Sequence, residues 1–433
     1  MSRLTPSVAA PRRGAATLVV VMVLFFILAL TAAYTNRNLI FEQKTSSNQY
    51  RSTQAFEAAE AGLEWALAQL NGGLVNSSCL ADSGGFSFRS RYLGTIDADG
   101  SISNPALRSG SSAPLMPACI FDGSNWRCNC PDDAPALPTF TGNDSRPAFR
   151  VQFTKSDLEP DNFKPRPGVV RITAYGFTRC AGGCFDETPK PPAGEAMAAV
   201  STLVALRSGL STPPGAAVTV QGSFTVSGID FFNVVNTDVG TNGITVMAGN
   251  SPLPVNLYAQ TLPGTPGNRS FVAPDASLAA LTDAERMFAS VFGIGSTLWR
   301  QQPAAVVVPC GSACTAATVQ AQVDQHRGSV IWIEGDLTVD GAIGTAAAPV
   351  VLAVNGQTSL GTGGAVYGLV YGRTANWDLG AGTGQVQGAL VAQGNLTSTG
   401  LKLIRYDPTI LNLLRTRTGS FVRVPGSWQD FKQ

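Results

Sequence analysis

Histidine and the common catalytic motifs are nearly absent from this sequence. The 433 residues include one histidine, His326, which excludes a metal centre built from several histidines. There is no Gly-x-Ser-x-Gly elbow, no Gly-Lys phosphate loop, no complete Gly-x-Gly-x-x-Gly fingerprint and no His-Glu-x-x-His helix, so hydrolase and nucleotide-binding functions lack support. His326 lies beside Asp324 and Gln325 in a polar stretch and is expected at the surface. The sequence predicts neither an enzyme nor a bound cofactor.

Charge is also scarce. Charged residues make up 14% of the chain, and 30 basic and 29 acidic residues nearly cancel to +1. That balance provides no basic surface for nucleic acid, which is therefore not expected as a partner. The 46 glycines and 27 prolines, with recurrent Thr, Val and Ser, favour a turn-rich β protein. A chain of this length can hold two or three domains.

A basic N-terminus precedes a long apolar run. Residues 1–14 contain Arg3, Arg12 and Arg13 without an acid, and no charge occurs between Gly14 and Asn36. Residues 15–33, about 19 residues at ~1.5 Å each, nearly cover a hydrocarbon core of roughly 30 Å. The sequence predicts one membrane span over about residues 15–34, with the N-terminus on the cytoplasmic side.

The helical pattern continues beyond the apolar run. Apolar residues recur at steps of three and four along one face: Phe56, Ala59, Leu63, Leu67 and Leu70. Glutamates occupy another face, and Asn71-Gly72-Gly73 ends the pattern. We expect a single helix over residues 15–70, about 84 Å long, with Phe56, Ala59, Leu63 and Leu67 as its packing residues.

Arg12-Arg13-Gly14 followed by this helix resembles the N-terminus of a type IV pilin. The resemblance implies processing between Gly14 and Ala15, with Ala15 as the methylated first residue. Residues 55–67 (AFEAAEAGLEWAL) resemble more narrowly the minor pilins of the PilX type and the pseudopilin K of type II secretion. One departure is Val19, which occupies the fifth mature position, where most pilins have Glu. A plain signal anchor with a stalk helix is the alternative.

The resemblance implies a function in assembly. Such a minor pilin inserts in the bacterial inner membrane with its bulk in the periplasm, is processed by prepilin peptidase, and joins or primes the extracellular type IV pilus, here at the tip. Its partners would be the major pilin, other minor pilins and a tip adhesin. Two alternatives stay open: a type II secretion pseudopilin, and a membrane-anchored β-solenoid adhesin or polysaccharide-active enzyme. The carboxylates for such an enzyme would be Glu334, Asp336 and Asp340.

Residues 71–211 predict a pilin-like head. Three runs, at 148–154, 168–177 and 196–207, read as strands of an antiparallel sheet packed on the upper half of the helix. Asp97-Ala98-Asp99-Gly100 predicts a tight turn rather than a calcium loop, because the further acidic ligands are missing.

Eight cysteines on an exported chain indicate disulfides. We expect Cys180 to pair with Cys184 and Cys310 with Cys314, since each pair closes a short loop. Cys79 and Cys119 would take Cys128 and Cys130, in an order that the sequence leaves open. A zinc site formed by the 180/184 and 310/314 pairs is the less favoured alternative, so no metal is expected.

Residues 215–433 predict a β-rich C-terminal domain. A unit with Gly at both ends recurs at 222–228, 335–341 and 394–400, and each copy follows an apolar run. The near-regular spacing favours a β-solenoid, with a β-sandwich as the alternative. Thr282 to Glu285 reads as a capping box that starts a helix covering the β core. Residues 331–433 resemble the C-terminal region of large PilX-class minor pilins, most specifically at Val424-Pro-Gly-Ser-Trp428. The predicted fold class is therefore α+β.

Overall fold

The structure is a computed structural model and describes residues 14–97, 99–104, 115–131, 146–156, 167–180 and 193–430. It begins with one helix, α1 (Gly14–Asn71), of 58 residues. The pattern-based bounds of 15–70 are therefore right to within one residue at each end. Side chains from 16 to 50 are exposed, and the first buried side chain is Ala55. Among the described residues, contacts of α1 with the rest of the protein are confined to its last third, from Arg51 onward.

An antiparallel head sheet packs against that last part of α1. The elements that follow α1 are β1 (Leu74–Val75), β2 (Phe86–Ser87), α2 (Phe88–Tyr92), β3 (Thr95–Ile96), β4 (Ile102–Asn104), β5 (Ala118–Phe121), β6 (Trp126–Asn129), β7 (Ala148–Lys155), β8 (Val169–Phe177) and β9 (Met197–Ser208). The strands β9, β8, β7, β5 and β6 are neighbours in that order. The three expected strands, at 148–154, 168–177 and 196–207, correspond to β7, β8 and β9. The expected tight turn also forms, as β3 and β4 pair antiparallel around it.

The C-terminal body contains most of the remaining elements. Its strands are β10 (Val218–Val220), β11 (Phe224–Ser227), β12 (Phe232–Val235), β13 (Val246–Ala248), β14 (Leu257–Gln260), β15 (Phe271–Val272), β16 (Ala305–Thr315), β17 (Val330–Val339), β18 (Ala342–Ile343), β19 (Val350–Val354), β20 (Thr358–Leu360), β21 (Ala365–Gly372), β22 (Asn376–Asp378), β23 (Gln385–Ala392), β24 (Asn395–Thr399) and β25 (Lys402–Tyr406). Its helices are α3 (Ala276–Ala279), α4 (Ala284–Phe292), α5 (Ser296–Arg300), α6 (Ala316–Gln325) and α7 (Pro408–Arg417), with 3-10 turns at Val239–Thr241 and Gly267–Ser270. The final strand is β26 (Gly419–Arg423).

Strands of the body pair in parallel, and their registers line up across successive coils. One column of neighbouring residues runs through Val306, Ile331, Leu352, Val370, Leu390, Val218, Val246 and Phe271. Most of these side chains belong to one large apolar cluster. Each coil thus buries an apolar face against the next coil, which a single coil could not do alone.

The order of the coils in space differs from their order in the sequence. The first coil, β10 to β12, stacks on the last one, with β10 beside β23, β11 beside β24 and β12 beside β25. Two of the three repeated units, 222–228 and 394–400, are therefore direct neighbours, with Phe224 opposite Leu396. The third unit, 335–341, lies in β17 and pairs with β20.

Small and polar residues form the corners between strands. A Cβ atom on Gly356 would overlap the carbonyl of Gly335 in the neighbouring coil, so the corners stack backbone on backbone. A ladder of side-chain hydrogen bonds links successive corners through Asp336, Gln357, Asn376, Asn395, Ser223 and Asn250. The ladder satisfies polar groups that the turns would otherwise leave unpaired.

Helix α4 covers the β core as expected, although its predicted start is wrong by one residue. The N-cap is Asp283, whose Oδ1 accepts from the Glu285 amide at 2.9 Å, and not Thr282. Glu285 does not complete a capping box because its carboxylate accepts instead from the amide of Ser296 at 2.7 Å and pairs with Arg373 at 3.2 Å. The apolar side of α4 is buried: Met287, Phe288, Val291 and Phe292.

The chain finally leaves the body and returns to the head. Strand β26 pairs antiparallel with β9, so that Gly419 lies opposite Ser208, and it completes a six-stranded head sheet. The expected C-terminal domain of 215–433 therefore needs a correction, because its last strand belongs to the head. The body is an insertion between two adjacent strands of the head sheet.

Candidate functional site: the N-terminal helix

The first half of α1 presents apolar side chains to the outside. Every large apolar side chain from Leu18 to Leu30 is more than half exposed, and Val19 is among them. Within the described ranges, α1 is the helix that is long and apolar enough to cross a membrane. An exposed apolar surface of this length is stable only in lipid or against other apolar helices. The predicted processing residues Gly14 and Ala15 lie at the start of α1, where the backbone is helical.

The second half of α1 is fixed to the head through a stripe of small residues. Ala59 and Leu63 are buried, whereas Phe56 and Leu67 are partly buried at the edge of the same apolar cluster. The residues that sequence reasoning missed are the small ones on the buried face: Ala55, Ala58, Gly62 and Ala66. These residues recur at the same steps of three and four as the larger apolar residues, and that spacing is the signal that marks them.

The small residues permit unusually close packing. A Cβ atom on Gly176 in β8 would overlap the backbone of Ala55 and Ala59, and one on Gly62 would meet the ring of Phe149 at 3.0 Å. Backbone therefore packs on backbone where α1 crosses the sheet. Such an interface resists rotation or sliding of the helix, since either movement would bring larger side chains into the contact.

The C-terminal tail clamps the same part of α1 from outside. Trp428 donates through Nε1 to Oε1 of Glu60 at 2.6 Å, and its ring meets Phe56 edge-on with centroids 6.1 Å apart. Arg423 forms an ion pair with Glu64 at 2.8 Å. The helix face that carries Glu60 and Glu64 is thus where the tail residues Arg423 and Trp428 attach.

Residues 13–64 match the family model described as PilX N-terminal. The N-terminal segment is type IV pilin-like. The match confirms the expected resemblance. It covers the exposed part of α1, up to residue 50, and most of the part that contacts the head. No curated protein sequence matches the chain. Among solved structures, the chain is similar to the crystal structure of the competence-associated pilin ComZ from Thermus thermophilus, at 12% identity over 88% of this chain and 97% of that one. The TM-score is 0.22, so that likeness supports no argument about the fold.

Disulfides tie the irregular part of the head that follows the pilin-like helix. The structure joins Cys79 to Cys130 and Cys119 to Cys128, with Cα atoms 5.3 Å and 4.0 Å apart. The sequence predicts that Cys79 and Cys119 pair with Cys128 and Cys130 and leaves the order open, and the structure gives that order. In the body, Cys310 is joined to Cys314 with a Cα separation of 5.2 Å.

The remaining cysteine pair is only half described. Cys180 is buried in the head, and Cys184 lies outside the described residues. A zinc site using all four sulfurs is not compatible with the disulfide between Cys310 and Cys314, because a disulfide offers no thiolate. Among residues that the structure describes, no group of three or more His, Cys, Asp and Glu side chains is placed to hold a metal ion.

The three carboxylates considered for polysaccharide cleavage make local bonds. Glu334 accepts from Trp332 Nε1 at 2.6 Å and pairs with Arg300 at 3.2 Å. Burial opposes ionisation of Glu334, but these contacts outweigh it and lower its pKa. Asp336 accepts from the amide of Gln357, and Asp340 from the amide of Ala316. An acid catalyst needs a raised pKa, whereas Glu334 is held ionised.

Proposed function

We propose that this protein is a minor pilin that inserts in the inner membrane, is processed between Gly14 and Ala15 by prepilin peptidase, and joins or primes a type IV pilus. The single observation that supports the proposal most is the division of α1. Its N-terminal part is apolar and exposed, and its last third, from Arg51 onward, is immobilised on a head. A subunit of this form can move from lipid into a helical filament core without changing its own fold, because both environments accept the same apolar surface.

The placement of the body supports a position at the filament tip. The body is attached through two adjacent strands, β9 and β26, at one edge of the head sheet. A head that carries about two hundred extra residues would be difficult to repeat along a close-packed shaft. Val19 also supports a position at the tip. It cannot supply the carboxylate that, in pilins, is thought to neutralise the terminal amine of a neighbouring subunit.

We also infer that the body is a β-solenoid. Its parallel pairing, the column of aligned apolar residues and the ladder of polar side chains at the corners favour stacked coils over a sandwich of hairpins. The solenoid would be the part that extends from the filament. It is suited to contact other proteins or a surface, and the local bonds of Glu334, Asp336 and Asp340 favour binding over catalysis.

Mass spectrometry of the mature protein tests the assignment. A mature chain that begins at Ala15 with a methylated amine is expected. An intact Met1, or a cut near Ala33, would overturn the pilin proposal and leave the signal anchor. A type II secretion pseudopilin would also begin at Ala15, so co-purification is the second step. Recovery of the major pilin and minor pilins with the tagged protein supports the pilus, and recovery of pseudopilins alone would replace it.

A further inference from the structure

A cleft of about 530 Å³ lies between the head and the body. On the head side it is lined by α2 and β3, including Arg89 and Ile96, and on the body side by the end of α6 and the start of β17. Further lining comes from the loop before β19 and from the end of α7. This volume is within the usual range for sites that bind small molecules.

The lining of the cleft is positively charged. Three arginines, Arg89, Arg327 and Arg417, face one acidic residue, Asp324, among the described lining residues. No ion pair of the described residues includes any of the three arginines. Arg417 donates to the carbonyl of Ile96 at 3.0 Å, and Arg327 is exposed at the rim. Among the described residues, no carboxylate forms an ion pair with these arginines.

Arg89 is the most buried of these charges. Its guanidinium donates to the carbonyls of Gly328 at 3.0 Å and Gly419 at 2.8 Å, and also to the carbonyl of Leu70. Its partners are neutral, although carbonyls at the end of α1 carry partial negative charge. Burial lowers the pKa of Arg89 to about 10, so the group stays charged at neutral pH. A fixed positive charge therefore lies on the head side of the cleft.

Apolar side chains provide much of the remaining surface, beside Gln320, His326 and several Ser and Thr residues. Ile331 and Val350 are buried below the cleft, and Val323, Pro349 and Leu413 are partly exposed in it. A site with an apolar floor and a basic rim is complementary to a molecule that joins an apolar group to an anion. Inorganic anions would leave the apolar floor wet, and neutral apolar molecules would leave the arginines unused.

We propose that the cleft between head and body binds a small organic anion, a carboxylate or phosphate attached to an apolar group. The anion would lie between Arg327 and Arg417, and the apolar group would cover the partly exposed Val323, Pro349 and Leu413. None of the lining residues belongs to α1, so this proposal does not rest on the function proposed for that helix.

Isothermal titration calorimetry on the full chain in a non-ionic detergent tests the proposal, with phenyl phosphate as the probe. One-to-one binding is expected, with inorganic phosphate and benzyl alcohol each at least about tenfold weaker, because each keeps only one of the two contacts. Arg327 forms no hydrogen bond or ion pair with the described residues. Arg327→Gln should therefore weaken binding about tenfold without altering the fold. Ala348→Trp should abolish binding by filling the cleft.

Arg286→Gln is the matched control, since it removes an exposed arginine of α4 outside the cleft. Its affinity for phenyl phosphate should stay within about twofold of the unaltered protein. Equal affinity for phenyl phosphate and inorganic phosphate would contradict the proposal. So would binding that survives Ala348→Trp, an equal loss in Arg286→Gln, or no binding at millimolar probe.

Discussion

The side chain of Asn71 forms two hydrogen bonds with the backbone of Phe421, 350 residues further along the chain: Nδ2 donates to the Phe421 carbonyl at 2.9 Å, and Oδ1 accepts from the Phe421 amide at 2.8 Å. The last residue of α1 thereby binds the edge of β26 as another strand would. Arg89 adds bonds to Leu70 and Gly419 at the same junction. The end of α1, helix α2 and the last strand are thus joined at one point.

Replacing Asn71 with Ala should destabilise the head. The substitution leaves the buried amide and carbonyl of Phe421 without their partner, which costs about 2 kcal/mol. Thermal unfolding of the full chain in detergent, followed by near-ultraviolet circular dichroism, measures the change. Asn48→Ala on the exposed part of α1 is the control and should leave the midpoint unchanged. Equal midpoints for the two variants would mean that the Asn71 contact contributes nothing.

The body should be removable without loss of the head. Ser208 and Gly419 lie opposite each other in β9 and β26, so an Asn-Gly hairpin turn can join them directly. We expect the shortened protein to unfold cooperatively and to assemble in a strain that lacks the natural protein. The matched control ends at residue 418 and keeps the body but loses β26 and the tail. This truncated chain should lose the cooperative unfolding transition of the head. If its head still unfolded cooperatively, strand β26 would be dispensable and the prediction would be wrong.

The sequence predicts those features that depend on local patterns. The bounds of α1 follow from the periodic apolar residues and the Gly-Gly stop, and β7 and β8 follow from the alternation of apolar residues. The insertion of the body could not be predicted, because nothing in residues 419–423 marks β9 as their neighbour. The stacking of the first coil on the last could not be predicted for the same reason, because no local pattern marks the two coils as neighbours. Register between distant strands is decided by which apolar faces remain uncovered, and that depends on the whole fold.

Gly176→Ala should separate α1 from the sheet. The added methyl group would overlap the backbone of Ala55 and Ala59, which cannot move aside as a flexible side chain could. Overpacking of this kind costs about 1–3 kcal/mol or more. Hydrogen exchange of amides in residues 55–70 should accelerate. Gly311→Ala is the control, because a Cβ atom there meets nothing within 4 Å. Unchanged exchange in Gly176→Ala would indicate that the helix sits further from the sheet.

Stability of the body should depend on Glu285 in a pH-dependent way. The hydroxyl of Ser296 makes the largest contribution to lowering the pKa of Glu285. Partial burial opposes this shift, and the amide of Ser296 and the charge of Arg373 lower the pKa further. A carboxylate with a lowered pKa stabilises the fold above its unfolded pKa of about 4.3, and the contribution is lost as pH falls through the folded value. Glu285→Gln should therefore lower the melting temperature at pH 7 and have a smaller effect at pH 3. The exposed Glu57→Gln is the control, and a loss that is constant with pH would contradict the role of the charge.

A place at the filament tip makes a prediction about Val19. A terminal amine buried in the helix core of a filament without a carboxylate costs several kcal/mol, so a shaft made of subunits with Val19 would be unstable. A subunit with none above it has no such amine to neutralise. Val19→Glu should then be tolerated or mildly harmful, measured as filaments per cell, and deletion of the gene should lower filament number without altering shaft structure. Gold labelling of an epitope in the body should give one cluster at filament ends. Regular labelling along the shaft would contradict the tip position and leave the pilin assignment intact.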